Sequence, residues 1–202
     1  MDEGFSYSQS NHIKPFIPKL TEQQFCRNDP VFTTYLTVQP EHRFRYEYLQ
    51  NNLLAHPPLY YIIFHTISSF FPNVFSKWFG LGLNLLLFLI TQLLLYGLGK
   101  QFLTEKKVFL PLIFYGFSIP AICCVTYIRN YMLFTTELTG LFLLAVCMAQ
   151  SARDDKQQLF YTYLFGYAAV LFLGCMTHYY FYIVAFFLCA GLCLLLLIYK
   201  RY

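Results

Sequence analysis

Five apolar runs, at 78–99, 108–128, 130–150, 159–176 and 179–199, constrain this chain more than any other feature. A helix crosses the hydrocarbon of a bilayer with about 20 apolar residues. Lipid offers backbone N–H and C=O groups no partners, so a helix that pairs its own is the natural spanning structure for such runs. A compact soluble domain can bury one helix of this kind, not five in succession. With 57% hydrophobic and 12% charged residues, the chain also departs from ordinary soluble composition. The expected fold class is an all-α integral membrane protein with about five transmembrane helices. The chain divides into an extracytoplasmic loop with short helices at 1–56, a juxtamembrane or re-entrant helix at 57–75 and a bundle at 76–202.

Basic residues between the runs set the expected orientation. Lys100, Lys106 and Lys107 follow the first run, Arg153 and Lys156 the third, and Lys200 and Arg201 the fifth. Of the alternate connections, one carries only Arg129, and nothing basic surrounds His178. By the positive-inside rule the three basic loops are cytoplasmic. Residues 1–77 and the turns near 118–130 and 177–179 are then extracytoplasmic, in a multi-pass protein of the cell membrane. Lys14, Lys19, Arg27, Arg43 and Arg45 lie in the N-terminal segment, where acids offset them and long translocated segments weigh little.

Residues 1–56 are polar but rich in aromatics, which argues against disorder. Asn28-Asp29-Pro30 and Gln39-Pro40 read as turns, and 41–54 as a short helix. The piece at 57–72 opens on Pro57-Pro58, suited to a helix start because proline lacks an N–H that would be unpaired there. It is short and interrupted by His65, Thr66, Ser68 and Ser69. A crossing here would reverse every later helix, so it reads as an interfacial or re-entrant helix returning to the outer side. Pro111 and Pro120 lie within the second run, which should kink or end near Ser118.

Six of the seven cysteines sit inside apolar runs and Cys26 stands alone in the polar segment, so no disulfide framework is expected. No closely spaced ligand set marks a metal site, and no phosphate-cradling glycine loop, nucleophile elbow or basic–aromatic nucleic-acid surface is present. Four features converge on the outer side: Asp2 with Glu3, His56, Arg129 with Tyr131, and the Thr177-His178-Tyr179-Tyr180 turn. Carboxylates can deprotonate a hydroxyl acceptor, although terminal acids are also simply solvated. Arg129 offers a planar fork of donors for phosphate oxygens, or an anchor among lipid headgroups. His178 suits a ligand contact or the capping of a turn, and His56 a ligand contact or the opening of a helix. Glu137, a carboxylate inside a span, is either a pocket residue or the partner of Asn84, Thr91 or Gln92.

These passages resemble the family 39 glycosyltransferases, the dolichyl-phosphate-mannose–protein mannosyltransferase-like membrane enzymes with the GT-C fold. Asp2-Glu3 followed by GFSYSQSN is similar to the acidic pair opening the family's first extracytoplasmic loop. AHPPLYYIIFH resembles its His-Pro-Pro-Leu juxtamembrane helix, YIRNYML its arginine–aromatic passage, and THYYF a later turn. The resemblance implies a GT-C-like helical bundle and a polyprenyl-phosphate-linked sugar donor, with transfer to a hydroxyl acceptor on protein, lipid or wall polymer. It implies Asp2 as catalytic base assisted by Glu3. Arg129 would face the phosphate leaving group, with His56, Tyr131, His178 and Tyr179 binding substrate. No cofactor is certain, and a divalent metal is left open. The family has a membrane helix before the acidic pair and further helices later, and an acid commonly precedes its His-Pro-Pro string, where Leu54 and Ala55 stand here. The chain therefore reads as the N-terminal part of such an enzyme. A transporter subunit or a non-catalytic membrane scaffold is the alternative.

Overall fold

The computed structural model describes residues 2–11, 36–46 and 57–200, with side chains from residue 6 to residue 199. All regular elements among the described residues are helical. They are α1 (Asp2–Asn11), a 3-10 turn (Pro40–His42), α2 (Leu59–Ser69), α3 (Trp78–Gly99), α4 (Glu105–Gly116), α5 (Ile119–Thr126), α6 (Tyr131–Arg153), α7 (Gln157–Cys175) and α8 (Tyr180–Lys200). Four of them, α3, α6, α7 and α8, are long and apolar enough to cross a membrane, and the bent pair α4–α5 makes a fifth. The chain is an all-α, multi-pass membrane protein.

Two compact units divide the chain, one formed by Met1–Leu83 with Tyr127–Arg129, the other by Asn84–Thr126 with Asn130–Tyr202. In the first, α1 and α2 pack through aromatic rings. Tyr7 lies edge-on to Phe64 at 4.7 Å and tilted on Phe75 at 4.9 Å, and its hydroxyl donates to the Ser76 carbonyl at 2.7 Å. Tyr60 stacks on Phe64 one turn away. Pro58 caps α2, as the double proline predicts. At 11 residues, about 16 Å long, α2 is too short to span. Residues 41–54 are not one helix. Glu41 and His42 belong to the 3-10 turn, and Phe44 has a positive φ of 53° that no helix tolerates. The reason lies in Ser69, whose carbonyl accepts from Arg43 Nε at 2.9 Å and whose hydroxyl accepts from the Phe44 N–H at 3.2 Å. Residues 28–30 and 47–56 lie outside the described residues. Gly80 meets Ile128 so closely that a side chain at 80 would displace it.

In the second unit the contacts fix the direction of every helix. Gly99 packs on Val108, Gln92 Nε2 donates to the Leu112 carbonyl at 3.4 Å, and Phe88 stacks on Tyr115. Asn84 Nδ2 donates to the carbonyls of Cys124 and Val125 at 3.4 and 3.1 Å. As residue numbers fall along α3 they rise along α4–α5, from one end to the other. The bent pair therefore retraces α3 and is a broken span, not a loop that turns back. Its 60° bend falls at Phe117 and Ser118, close to where Pro120 predicts it. Ser118 caps α5, its hydroxyl accepting from the Ala121 N–H at 3.3 Å.

Helix α6 runs parallel to α3. Thr91 and Thr136 join hydroxyls at 2.9 Å, Leu94 sits on Gly140, and Leu143 on Gly97. Helix α7 returns antiparallel, pairing Gly166 with Leu144 and Val170 with Gly140. Helix α8 again follows α6, with Phe181 against Phe134. The start of α6 at Asn130 and the turn 176–179 thus share one end of the second unit. Lys100, Lys106, Lys107, Arg153 and Lys156 gather at the other. Helix α6 is central: 44% of its spanning window is buried, against 22% or less in the other single spans.

Candidate functional site

The end opposite the basic loops holds the candidate site. Helix α6 begins at Tyr131 because Asn130 anchors its start: Asn130 Nδ2 donates to the Thr177 carbonyl at 2.8 Å, both residues buried. Thr177 also closes a second link. Its hydroxyl donates to Glu137 Oε1 at 2.8 Å, with the Leu173 carbonyl at 3.1 Å on the same hydroxyl. One threonine between α7 and α8 is therefore held at its carbonyl and its hydroxyl by two residues of the α6 region. That fixes the His178 turn relative to Tyr131.

On this pinned turn the His178 ring is surrounded by aromatics. It stacks on Tyr180 at 5.1 Å and lies 5.5 Å from Phe134 and 6.1 Å from Tyr131. The Tyr180 backbone N–H donates to His178 Nδ1 at 3.2 Å. Accepting at Nδ1 leaves the hydrogen of the neutral ring on Nε2. Tyr131, Tyr179 and Tyr180 are exposed. The arrangement is an aromatic platform with phenol and imidazole hydrogen-bonding groups, chemically suited to a hydroxyl-rich ring or a polar headgroup. Tyr131 and His178, both expected as substrate-binding, are brought together here, and Tyr179 shares the turn.

The other expected residues belong to the first unit. Arg129 groups there with the chain that contains α1 and α2; it is partly buried, and its backbone N–H donates to the Tyr127 carbonyl at 2.8 Å. Asp2 and Glu3 form the first turn of α1, but their side chains, like the whole of His56, lie outside the described residues.

Sequence reasoning singles out Thr177 within its turn but gives neither it nor Asn130 a pinning role; the signal for both is a polar residue immediately outside an apolar run. His65 is legible there only as a polar interruption of an apolar stretch. It is fully buried in the first unit, Nε2 lying 3.0 Å from the Ser69 hydroxyl, with Tyr46 edge-on to its ring. Burial pushes its pKa down to about 4, so the imidazole is neutral at ordinary pH. Its spacing with Ser68 and Ser69 marked one polar face of α2.

Glu137 requires a correction. Its partner is Thr177, not Asn84, Thr91 or Gln92. Those three are engaged with the broken span and with Thr136. One residue further along α6 turns the side chain by about 100° away from α3 and toward α7. Glu137 Oε2 is buried with no hydrogen-bond partner among the described residues. No three His, Cys, Asp or Glu side chains among the described residues stand close enough to share a metal ion. The six cysteines in the spans are free thiols, Cys189 within 3.3 Å of the Tyr167 hydroxyl.

No family model, no curated protein and no solved structure matches the chain.

Proposed function

We propose that the chain belongs to a membrane glycosyltransferase that moves a sugar from a polyprenyl-phosphate donor to a hydroxyl acceptor on the extracytoplasmic side of the cell membrane. What supports this reading above all is the His178 platform. Two residues expected from the family resemblance, Tyr131 and His178, lie 6.1 Å apart ring to ring at the bundle end opposite the basic loops. By the positive-inside rule that end faces outward. A tyrosine–histidine surface supplies stacking area and donors for a sugar ring at a water–lipid boundary.

In this proposal Asp2 removes the acceptor's hydroxyl proton as oxygen attacks the anomeric carbon, with Glu3 keeping the local field negative. The bond from that carbon to the phosphate oxygen breaks, and the phosphate leaves with its electron pair. Arg129 offsets the charge that develops there. Tyr131, His178 and Tyr179 orient the sugar, and His56 contributes a further contact.

A transporter subunit is the second reading, favoured by the broken α4–α5 span and the buried carboxylate of Glu137. Glu137 lies within two turns of the start of α6 rather than at mid-membrane, and it is engaged in holding Thr177. This weakens the transport reading.

The test is transfer of labelled sugar from a panel of polyprenyl-phosphate sugars in membranes carrying the protein, comparing wild type with Asp2→Asn, Arg129→Gln and Glu137→Gln. Loss with the first two and retention with the third supports transfer. Full activity of Asp2→Asn overturns its role as base. No transfer from any donor, together with solute uptake that Glu137→Gln abolishes, replaces the reading with transport.

A further inference from the structure

A hollow of about 550 Å³ lies along α6 and α8, at the end of the bundle away from the His178 platform. Small residues create it: Ala145 and Ala149 on α6 and Gly191 on α8 leave a trough that Phe142 and Phe187 wall at its inner end. Gln150, Arg153 and Tyr199 lie at its mouth. The hollow therefore changes from apolar to cationic along its length.

Its length identifies the occupant. From Phe142 to Arg153 is eleven residues of α6, about 16 Å of helix rise. That is roughly half of a hydrocarbon core of about 30 Å. A further transmembrane helix would need a groove running the full thickness, whereas an acyl chain occupies one leaflet. The mouth identifies the headgroup. Arg153 is well exposed, and only its Nε is engaged, by Asp154 at 3.3 Å. Its remaining guanidinium N–H groups have no protein partner among the described residues. Lys156 shares the same Asp154 at 3.4 Å. Lys100, Lys106 and Lys107 add to the cationic end, where Glu105 pairs with Lys100 at 2.9 Å and Asp154 and Asp155 offset two further charges, leaving cations in excess.

We propose that this trough is a binding site for an anionic glycerophospholipid of the leaflet on the basic side. One acyl chain lies between α6 and α8, and the phosphate sits on Arg153. Tyr199 at the mouth marks the interface level, where amphipathic rings reside. The site stands independently of any reaction at the opposite end.

Gly191 provides the test. Nothing lies within 4 Å of the Cβ position there, so a phenylalanine can start into the trough from open space. Gly82 on α3 is equally open, lies outside the trough, and serves as the control for added bulk. The purified chain in dodecyl maltoside micelles is exchanged with dioleoylphosphatidylglycerol or dioleoylphosphatidylcholine, and retained lipid is counted by native mass spectrometry. Wild type and Gly82→Phe should hold one phosphatidylglycerol in preference to phosphatidylcholine. Gly191→Phe should lose both lipids while keeping the wild-type helical content. Arg153→Gln should keep the chain seat but reduce the preference for phosphatidylglycerol by about fivefold, the worth of one basic residue at an anionic surface. Equal retention of the two lipids by wild type, or an unchanged preference in Arg153→Gln, overturns the headgroup assignment. Retention by Gly191→Phe equal to that of Gly82→Phe overturns the site.

Discussion

Thr177→Val isolates the link that pins the turn between α7 and α8. Valine keeps the shape of threonine and removes the hydroxyl that serves Glu137 Oε1 at 2.8 Å. The Leu173 carbonyl loses only the weaker contact at 3.1 Å, and the Asn130 bond to the Thr177 carbonyl is untouched because it uses backbone. Glu137 is 8% exposed and Oε2 already has no partner among the described residues, so the variant leaves both carboxyl oxygens buried without one. In a soluble protein that loss costs about 1–3 kcal/mol. Between membrane helices measured side-chain hydrogen bonds average about 0.6 kcal/mol and reach about 1.7, because the dissociated helices find other partners. The membrane figure governs here, and its upper part applies because one acceptor was unmet to begin with. The expected destabilisation is therefore about 1–1.5 kcal/mol. Glu137→Leu removes both oxygens together with the need to pair them, and should be neutral or mildly stabilising. In that background Thr177→Val should cost almost nothing, giving a coupling of about 1 kcal/mol between the two positions. Reversible unfolding in mixed micelles with rising dodecyl sulfate, followed by far-ultraviolet circular dichroism, measures all four species. A coupling near zero, or Glu137→Leu more damaging than Thr177→Val, refutes the reasoning.

Three further outcomes are expected. Gly174→Ala should destabilise the bundle by about 1–3 kcal/mol, since the Phe181 ring occupies the space of the new methyl and must move; Gly82→Ala, facing open space, should not, and thermal denaturation in detergent compares them. His65 has a folded pKa near 4 against an ordinary value of 6.5, so the unfolded chain binds the extra proton between those values. Stability is thus fully present above pH 6.5, declines as pH falls toward 4, and loses up to about 3 kcal/mol in that window. His42, Arg43 and Tyr46 are the ionisable neighbours, and His65→Gln should flatten the pH dependence of amide exchange in α2. Finally, with native cysteines replaced, Tyr179→Cys should react with a membrane-impermeant maleimide in intact cells and Asp155→Cys only after permeabilisation; the reverse pattern inverts the orientation.

The spans were legible because crossing a bilayer is a matter of length and polarity, both visible in a string of residues. Four single spans begin and end within three residues of their apolar runs, and the largest difference has a cause. Helix α6 continues through Ser151, Ala152 and Arg153, where water permits polar side chains and the helix need not stop. Pro120 announced the break in the second span, while the hydroxyl of Ser118 that caps the restart was not foreseen. Helix α1 was invisible, since DEGFSYSQSN has no apolar stripe and only Glu3 and Gln9 as strong helix formers. Tyr7 secures it through contacts 57 and 68 residues away, with Phe64 and Phe75, that no local pattern encodes. The error at Glu137 has the same origin. Depth in the span is a sequence property, but the neighbour a side chain faces depends on the packing of helices around α6. Of the candidate site, Tyr131 and His178 could be paired from topology alone, because Tyr131 opens α6 and His178 lies in the turn before α8 at the same end of the bundle.

The two ends of helix α6 differ in character, which fits the two tasks proposed for them. Its first three turns bury Thr136, Glu137 and Thr139 beside the pinned turn, and Asn130 stands just before them. Directional bonds here fix one geometry, as the proposed substrate surface would require. Beyond Leu141 only Met148 and Ser151 are buried, and Ala145 and Ala149 line the trough. Packing against small residues specifies position less sharply and leaves space that a flexible chain can fill. The rigid end therefore suits selection of a polar ligand, and the looser end suits a lipid whose tail adapts. If so, filling the trough at Gly191 should leave the Thr177–Glu137 coupling unchanged. A coupling altered by Gly191→Phe would mean instead that α6 transmits packing changes along its whole length.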